Sequence, residues 1–480
     1  MAASSTDQKQ ADQKQAKFLT GSMMGHVVTM TVTSSIGLMA LFAVDALNLF
    51  YIAKLGQQEL AAAIGYAGTF QFFLISLSIG MAIATGATVA KALGQGVRER
   101  AANMAGAALI FTIAVMAVTS LVTFPFLSVF VELLGARGST AETAVGFLQI
   151  VVPSLPLLGL GMALGGVLRA LGDAQRAMYI TLLGGFVAAI LDPLFIFGFD
   201  MGVNGAATST VLSRCFLAGY GFWALQSKHQ LFALPDRSHL RDAFGPFWKI
   251  GVPAILTQLA TPVGNAYVTQ AFASYGDDAV AGWAVVGRLM PLAFGAIFAL
   301  SGAVGPIIGQ NYGAGNRSRI LAALRDGMIF TMVYVLVVWA ILALLRGQIA
   351  EAFDTSGQAR ELVELFCLVV AGTFFFNGAL FVANSAFNNL GYAFYSTVFN
   401  WGRATVGVIP FVYLGGLWYG APGVLVGWGL GAVVFGVVAV LVAFRTMRTM
   451  ELDNELASEA YPVPPASSSA LSSGKGAGLH

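Results

Sequence analysis

The chain has 480 residues, of which 57% are hydrophobic and only 10% charged, and its formal net charge is +2. Soluble domains carry roughly 25% charged residues, so the composition excludes a soluble enzyme or a nucleic-acid-binding protein and implies a polytopic membrane protein. Four histidines and two cysteines, Cys215 and Cys367, both within apolar runs, supply neither a metal-ligand cluster nor a disulfide framework.

Residues 1–26, with their repeated DQKQ, read as a polar tail. The first apolar run is longer than the ~7–15 residues of a signal-peptide core and reads as a retained helix. A spanning helix needs about 20 mostly apolar residues. Twelve runs supply them: 27–53, 62–90, 103–126, 144–168, 177–199, 203–226, 247–273, 281–306, 327–345, 362–386, 395–415 and 420–444. The loops between them leave no room for a soluble catalytic domain. Residues 447–480 have the Pro/Ser/Gly bias of a disordered tail. Cytoplasmic loops of membrane proteins are enriched in Lys and Arg. With the N-terminus inside, seventeen of these residues fall on the inner side and four on the outer side, which orients both termini to the cytoplasm.

The two halves repeat. Gly94, Gly96, Arg98 and Arg100 match Gly313, Gly315, Arg317 and Arg319 at an offset of 219. Leu171, Gly172 and Ala174 match Leu390, Gly391 and Ala393 at the same offset, and Gly202 and Gly205 match Gly420 and Gly423 at 218. The fold expected is therefore an all-α integral membrane protein with twelve transmembrane helices. It forms two pseudo-symmetric six-helix bundles, 27–230 and 246–446, joined by a cytoplasmic linker at 231–245. Parallel repeats of this kind are typical of secondary transporters, whose substrate and ion sites lie near the midplane.

Three blocks carry a family resemblance: VDALNLFYIAKLGQQELAAA from Val44, LDPLFIFGFDMGVNGAATSTVLS from Leu191 and GPIIGQNYGAGNRSR from Gly305. In these the chain resembles the multidrug and toxic compound extrusion (MATE) family. The resemblance implies two bundles around a central cavity, and drug efflux driven by inward movement of H⁺ or Na⁺.

Only two acids lie well inside spans, Asp45 in the first and Asp192 in the fifth. Each costs roughly 2.5–3.5 kcal/mol at the centre of a spanning helix, which makes each a functional candidate. Their counterparts in the second half are Asn265 and Phe411, so cation coupling is expected in the first half. Asp192 and Thr210 stand nine residues either side of the turn at Met201, which places them at similar depth. The family resemblance implies a cation site built from acids in spans one and five, an Asn one turn before the span-five acid, and a Thr in span six. Asp45, Asp192 and Thr210 match, but Ala188 stands where the Asn is expected. Hard cations such as Na⁺ want several oxygen ligands, whereas a proton needs only the carboxyl. H⁺ is therefore the expected coupling ion, with Na⁺ the alternative, and no cofactor is implied.

Arg214, one turn beyond Thr210, is a candidate charge partner for an acid near Asp192. Pro193 cannot donate to the carbonyl of Ala189 and is a candidate hinge. The candidate substrate cavity comprises Asn48, Gln258, Asn265, Asn377, Asn384 and Asn388. An intramembrane aspartyl protease is disfavoured, because neither acid lies in a Gly-x-Gly-Asp motif. The expected function is a monomeric secondary antiporter of the inner membrane exporting small amphipathic, cationic organic compounds. A Na⁺-coupled antiporter and a lipid-linked precursor flippase are the alternatives.

Overall fold

The computed structural model describes residues 16–53 and 58–449, except the side chains of Asp45, Ala46, Leu49, Phe50, Ile52, Ala53, Gln58 and Ala61. The remaining parts of the expected tails, 1–15 and 450–480, lie outside the described residues. Every described element is helical.

Span one is Met23–Ala53 and span two Gln58–Gly94. Span three joins Arg98–Thr123 to Leu127–Leu133, and span four joins Gly138–Val151 to Leu155–Ala170; the breaks hold Pro125 and Pro153, which remove hydrogen bonds from the ladder. Span five, Ala174–Pro193, continues into a wide π-helical turn, Leu194–Gly198. Span six, Gly202–Ala224, ends in a second such turn, Leu225–His229. Spans seven, eight and nine are Arg237–Ala273, Asp277–Gly313 and Arg317–Ala352. Span ten joins Gly357–Leu368 to Phe374–Asn389, and span eleven begins as Ala393–Ala404.

The helical stretch Ile409–Thr449 contains the rest of span eleven and all of span twelve. Gly420 reverses it with φ 63° and ψ −147°. Beyond that residue the chain returns along itself, so that a side chain placed on Gly427 would meet the carbonyl oxygen of Phe411 at 2.2 Å. Among the described residues nine stretches are long and apolar enough to cross a membrane unaided, the last of them being this doubled one. Spans six and seven are the less apolar members: span six buries Ser209, Ser213 and Arg214, and span seven carries Gln258, Asn265 and Gln270 outside the core.

The repeat seen in the sequence is a repeat of backbone geometry. Gly96 and Gly315, Gly172 and Gly391, and Gly202 and Gly420 all have positive φ, a region that costs a residue with a Cβ. Arg98 donates to the carbonyl of His229, and Arg317 donates to the carbonyl of Arg448; both partners are related by 219. The same symmetry joins the halves. A Cβ on Gly94 would lie 2.0 Å from the carbonyl oxygen of Gln310, and one on Gly313 would lie 2.1 Å from that of Lys91. Only glycine permits this crossing of spans two and eight.

Span one packs on span eight and span two on span seven. Within the second half, Phe294 and Phe374 stack at 4.1 Å beside Trp283 and Trp428. In the first half Phe70 stacks on Phe130. Each bundle thus has its own aromatic core, and the contacts between bundles combine the close glycine crossing of spans two and eight with larger side chains, Phe111 of span three packing on Phe244 and Phe247 of span seven.

Candidate functional site

Asp192 sits at the last turn of span five with 1% of its surface exposed. The helix runs through Pro193 at φ −63° and ψ −32°. The missing proline donor is accommodated not by a sharp break but by the wider turn that follows, a common response to a lost ladder bond. Asn48 of span one donates from Nδ2 to Asp192 Oδ2 at 3.0 Å. The Ser209 hydroxyl of span six is the carboxyl's other polar neighbour. Even so, Asp192 Oδ1 and Ser209 Oγ are both buried and neither has a partner in bonding geometry.

Counting depth from the turn singled out Thr210, and the structure turns that residue away. Its hydroxyl donates to the carbonyl of Ala206 at 2.9 Å, an ordinary bond back along its own helix. One residue is 100° of helix rotation, so depth alone does not say which hydroxyl faces the acid. Ala188 leaves span five without the amide expected there, and Asn48 brings an amide to the same carboxyl from span one. Asp45 stands one turn before Asn48 on that helix; its side chain lies outside the described residues.

Arg214 is buried, and no ion pair joins it to Asp192 or to another described acid. Its Nη1 donates to the Val151 carbonyl at 3.1 Å and to Ser154 Oγ at 2.8 Å, and its Nη2 donates to Gln71 Oε1 at 3.1 Å. Spans two and four thus hold the guanidinium with neutral oxygens. The physical reason is the break at Pro153: it frees carbonyls in span four, and a fork of five donors suits them.

The cleft between the bundles starts where their contacts end. A side chain on Gly295 of span eight would meet Met39 of span one, and one on Gly80 of span two would meet Ile255 of span seven. Seven positions outward from Gly80, on the same helix face, lies the exposed Phe73 of span two; outward of Gly295, Phe294 breaks span eight with φ −114° and ψ 23°, and the exposed Arg288 lies beyond that break. On span seven the face of Gly251 and Ile255 continues outward through Gln258 to Asn265, half-buried and exposed respectively. These two residues therefore lie on the face that span seven turns toward span two. Asn377, Asn384 and Asn388 are buried. Asn388 accepts from Ser396 Oγ of span eleven at 3.0 Å, and the carbonyl of Asn384 lies 3.4 Å from the same hydroxyl. Asn384 and Asn388 are thus internal to the second bundle rather than cleft residues. A shared face on span ten was visible in the sequence, but the helix that covers it was not.

On the side of the termini the cleft is closed. Phe18, 1% exposed, lies in a core cluster with Ile307 and Leu300. Its N–H donates to Gln310 Oε1 at 2.8 Å, and its carbonyl accepts from Asn311 Nδ2 at 3.1 Å and Arg319 Nη2 at 2.8 Å. Gln310 Nε2 in turn donates to the Ala170 carbonyl at 2.6 Å, and Lys17 Nζ to that of Gly172 at 2.7 Å. This short segment ties the first half to the second, and reading residues 1–26 as a featureless tail missed it. The buried Phe within a polar stretch was the available signal.

Comparison with known proteins accords with this architecture. The MatE family model matches the chain twice, over residues 23–194 and 253–414, once in each half. The chain is 26% identical over 425 residues to the FAD transporter of Shewanella oneidensis, covering 87% of this chain and 94% of that protein. It is 24% identical over 392 residues to the multidrug export protein MepA of Staphylococcus aureus, covering 80% and 85% of the two chains. A solved structure of a mutant of the Vibrio cholerae MATE transporter VcmN superposes with a TM-score of 0.85 at 24% identity, over 90% of this chain and 98% of that one.

Proposed function

Because this chain belongs to the MatE family of membrane transporters, and so is a transporter and not an enzyme, we propose that it is a secondary antiporter that exports bulky organic compounds in exchange for protons. The observation that supports this reading most directly is the state of the Asp192 carboxyl: one oxygen is held by Asn48, and the other is buried beside the unpartnered Ser209 oxygen. An ionised oxygen left bare in a low-dielectric interior is costly. A protonated one is a donor, and the Ser209 oxygen is an acceptor next to it. The pocket thus suits a carboxyl that gains and loses a proton as the cleft opens to one side and then the other.

Asp45, one turn from Asn48, is the second proton carrier in this reading. A sodium ion is less well served, since the described side-chain oxygens around Asp192 are few and Asn48 offers the carboxylate an N–H rather than an oxygen. Closure by Phe18, Gln310 and Arg319 on the side of the termini corresponds to a state open to the opposite side, where cargo leaves. Proton uptake by Asp192 would then favour release and the return of the empty cleft. The excess of Lys and Arg on the side of the termini supports a cytoplasmic location for both ends and residence in the inner membrane. We take the monomer as the working unit, since the cleft is complete within one chain.

The relatives differ in cargo, one being a flavin-nucleotide transporter and one a multidrug exporter by name. The cationic cargo expected from the sequence rests on hydrogen-bonding side chains set beside Phe and Met surfaces. The decisive experiment is export in inverted membrane vesicles under an imposed pH gradient or, separately, a Na⁺ gradient. The wild type is expected to respond to the pH gradient only. Asp192→Asn is expected to bind cargo and to lose gradient-driven export; retention of that export in a folded variant overturns the coupling role.

A further inference from the structure

The cleft is lined by charge of one sign on the wall formed by the second bundle. Arg288 of span eight is exposed and has no hydrogen bond or ion pair with any described residue. It stands eleven residues inside its helix, or about 16 Å at 1.5 Å per residue, too deep to belong to the headgroup level. Its direction follows from its own stretch of helix, because Phe294 (φ −114°, ψ 23°) breaks the helix between it and Gly295: Ala279, Trp283, Val286 and Leu289 are buried in the core of the second bundle, Arg288 lies on the opposite face, and a charge at this depth faces a polar cavity rather than lipid.

Neighbouring helices set what shares its layer. Trp283 Nε1 donates to Thr269 Oγ1 at 3.1 Å, which levels span eight with span seven. Five residues inward from each of these lie Arg288 and Gly264, with the exposed Asn265 adjacent. A side chain on Gly264 would meet Ala404, so Arg403 of span eleven lies in the same layer. Its Nη2 reaches Thr261 Oγ1 at only 3.4 Å, and its Nε is buried without a partner. Two guanidiniums thus occupy one layer, and the described acid of the second half nearest them in depth, Glu364, is bonded to Arg360.

We propose that Arg288, with Asn265 beside it and Arg403 in the same layer, forms a subsite for an anionic group, carboxylate or phosphate, on the transported compound. A guanidinium is a planar fork of donors matched to both groups. The aromatic surface of Phe73 on the opposite wall suits the bulky ring system of such a compound. The subsite rests on the reading of the cleft as the cargo site, but not on antiport.

Span one offers a competitor. Counting outward from Met39 opposite Gly295, the positions level with Arg288 are Asp45 and Ala46. Arg288 is thus placed to exchange Asp45 for a cargo anion, and proton uptake by Asp45 would favour the cargo.

The test uses the full-length protein in phosphatidylcholine nanodiscs and two ligands with one ring system, riboflavin and its 5′-phosphate, followed by flavin fluorescence anisotropy. The wild type is expected to bind the phosphate at least tenfold more tightly, with the preference shrinking as salt rises. Arg288→Gln is expected to erase the preference while riboflavin affinity stays within twofold, and Arg288→Lys to keep part of it. Equal affinities in the wild type, or a preference that survives Arg288→Gln or high salt, overturn the subsite. An Arg288→Gln variant that keeps the preference but alters the pH profile of dye export shows instead that the arginine serves only Asp45. Loss of proton-driven export with the preference intact overturns the antiport reading and leaves the subsite standing.

Discussion

Asn48 of span one and Asp192 of span five, 144 residues apart in sequence, meet in an amide-to-carboxylate hydrogen bond of 3.0 Å. The bond joins the two helices that carry the membrane acids. It makes the position of span one dependent on the state of the span-five carboxyl, since a neutral acid holds an N–H donor less strongly than an ionised one. A rearrangement of span one needs no proline if this bond supplies the switch.

Asn48→Ala removes that donor and leaves a second carboxyl oxygen bare. The variant is expected to be about 1–3 kcal/mol less stable and to export cargo at least tenfold more slowly under a pH gradient. Thermal unfolding in detergent and vesicle transport measure the two effects, and wild-type behaviour in both would show that the bond is incidental.

The crossing of spans two and eight makes a sharper prediction. Gly313→Val places a methyl-bearing carbon where the Lys91 carbonyl already lies 2.1 Å from an ideal Cβ. The bundles must part on the side of the termini. A cysteine introduced at Lys91 should then be labelled faster from that side by a membrane-impermeant thiol reagent. Gly94→Val should act alike, because it is the symmetry mate. Phe18→Ala should do so more weakly, since the wedge then goes while the glycines still cross.

Arg214 is held by neutral oxygens from spans two and four, so it belongs to the scaffold of the first bundle. Arg214→Met leaves Gln71 and Ser154 without their donor, and a loss of about 1–3 kcal/mol is expected. The pH profile of the residual transport should not move, because no bond joins this side chain to Asp192. A shifted profile would return Arg214 to the coupling site.

Outside the membrane, Asp173 caps span five and binds His229 Nε2 at 2.7 Å together with Arg176. Burial pushes its carboxyl upward, but the hydrogen bonds from His229 and Arg176 outweigh burial and hold it below the ordinary carboxylate range. A carboxyl depressed on folding contributes stability that is complete above the unfolded value of about 3.9 and is lost as pH falls through the folded value. Asp173→Asn should therefore lower Tm at pH 7. The gap to the wild type should stay constant from pH 5 to 8 and close only in strong acid, as melting curves across that range would show.

Twelve spans and the twofold repeat were legible because hydrophobicity and glycines are properties of short segments. The repeat glycines were right down to the residue, since a left-handed turn or a helix crossing admits little else. The acids were conspicuous because a charge in hydrocarbon is rare. Their surroundings were not legible. Thr210 and Ser209 differ by one position, and only the rotation of span six about its axis separates a back-bonded hydroxyl from one beside Asp192. Arg214 looked like a counter-charge because its depth was known and its direction was not.

The sequence by itself determined that this is a membrane transporter of twelve helices with a twofold repeat. Each of those inferences needs only the cost of burying polar groups in lipid. The tertiary structure alone decided that Asn48 serves Asp192, that Phe18 seals one side, and that Asn384 and Asn388 face span eleven. Those facts depend on helix rotation and on the register between bundles, which are set by packing among residues far apart in the chain.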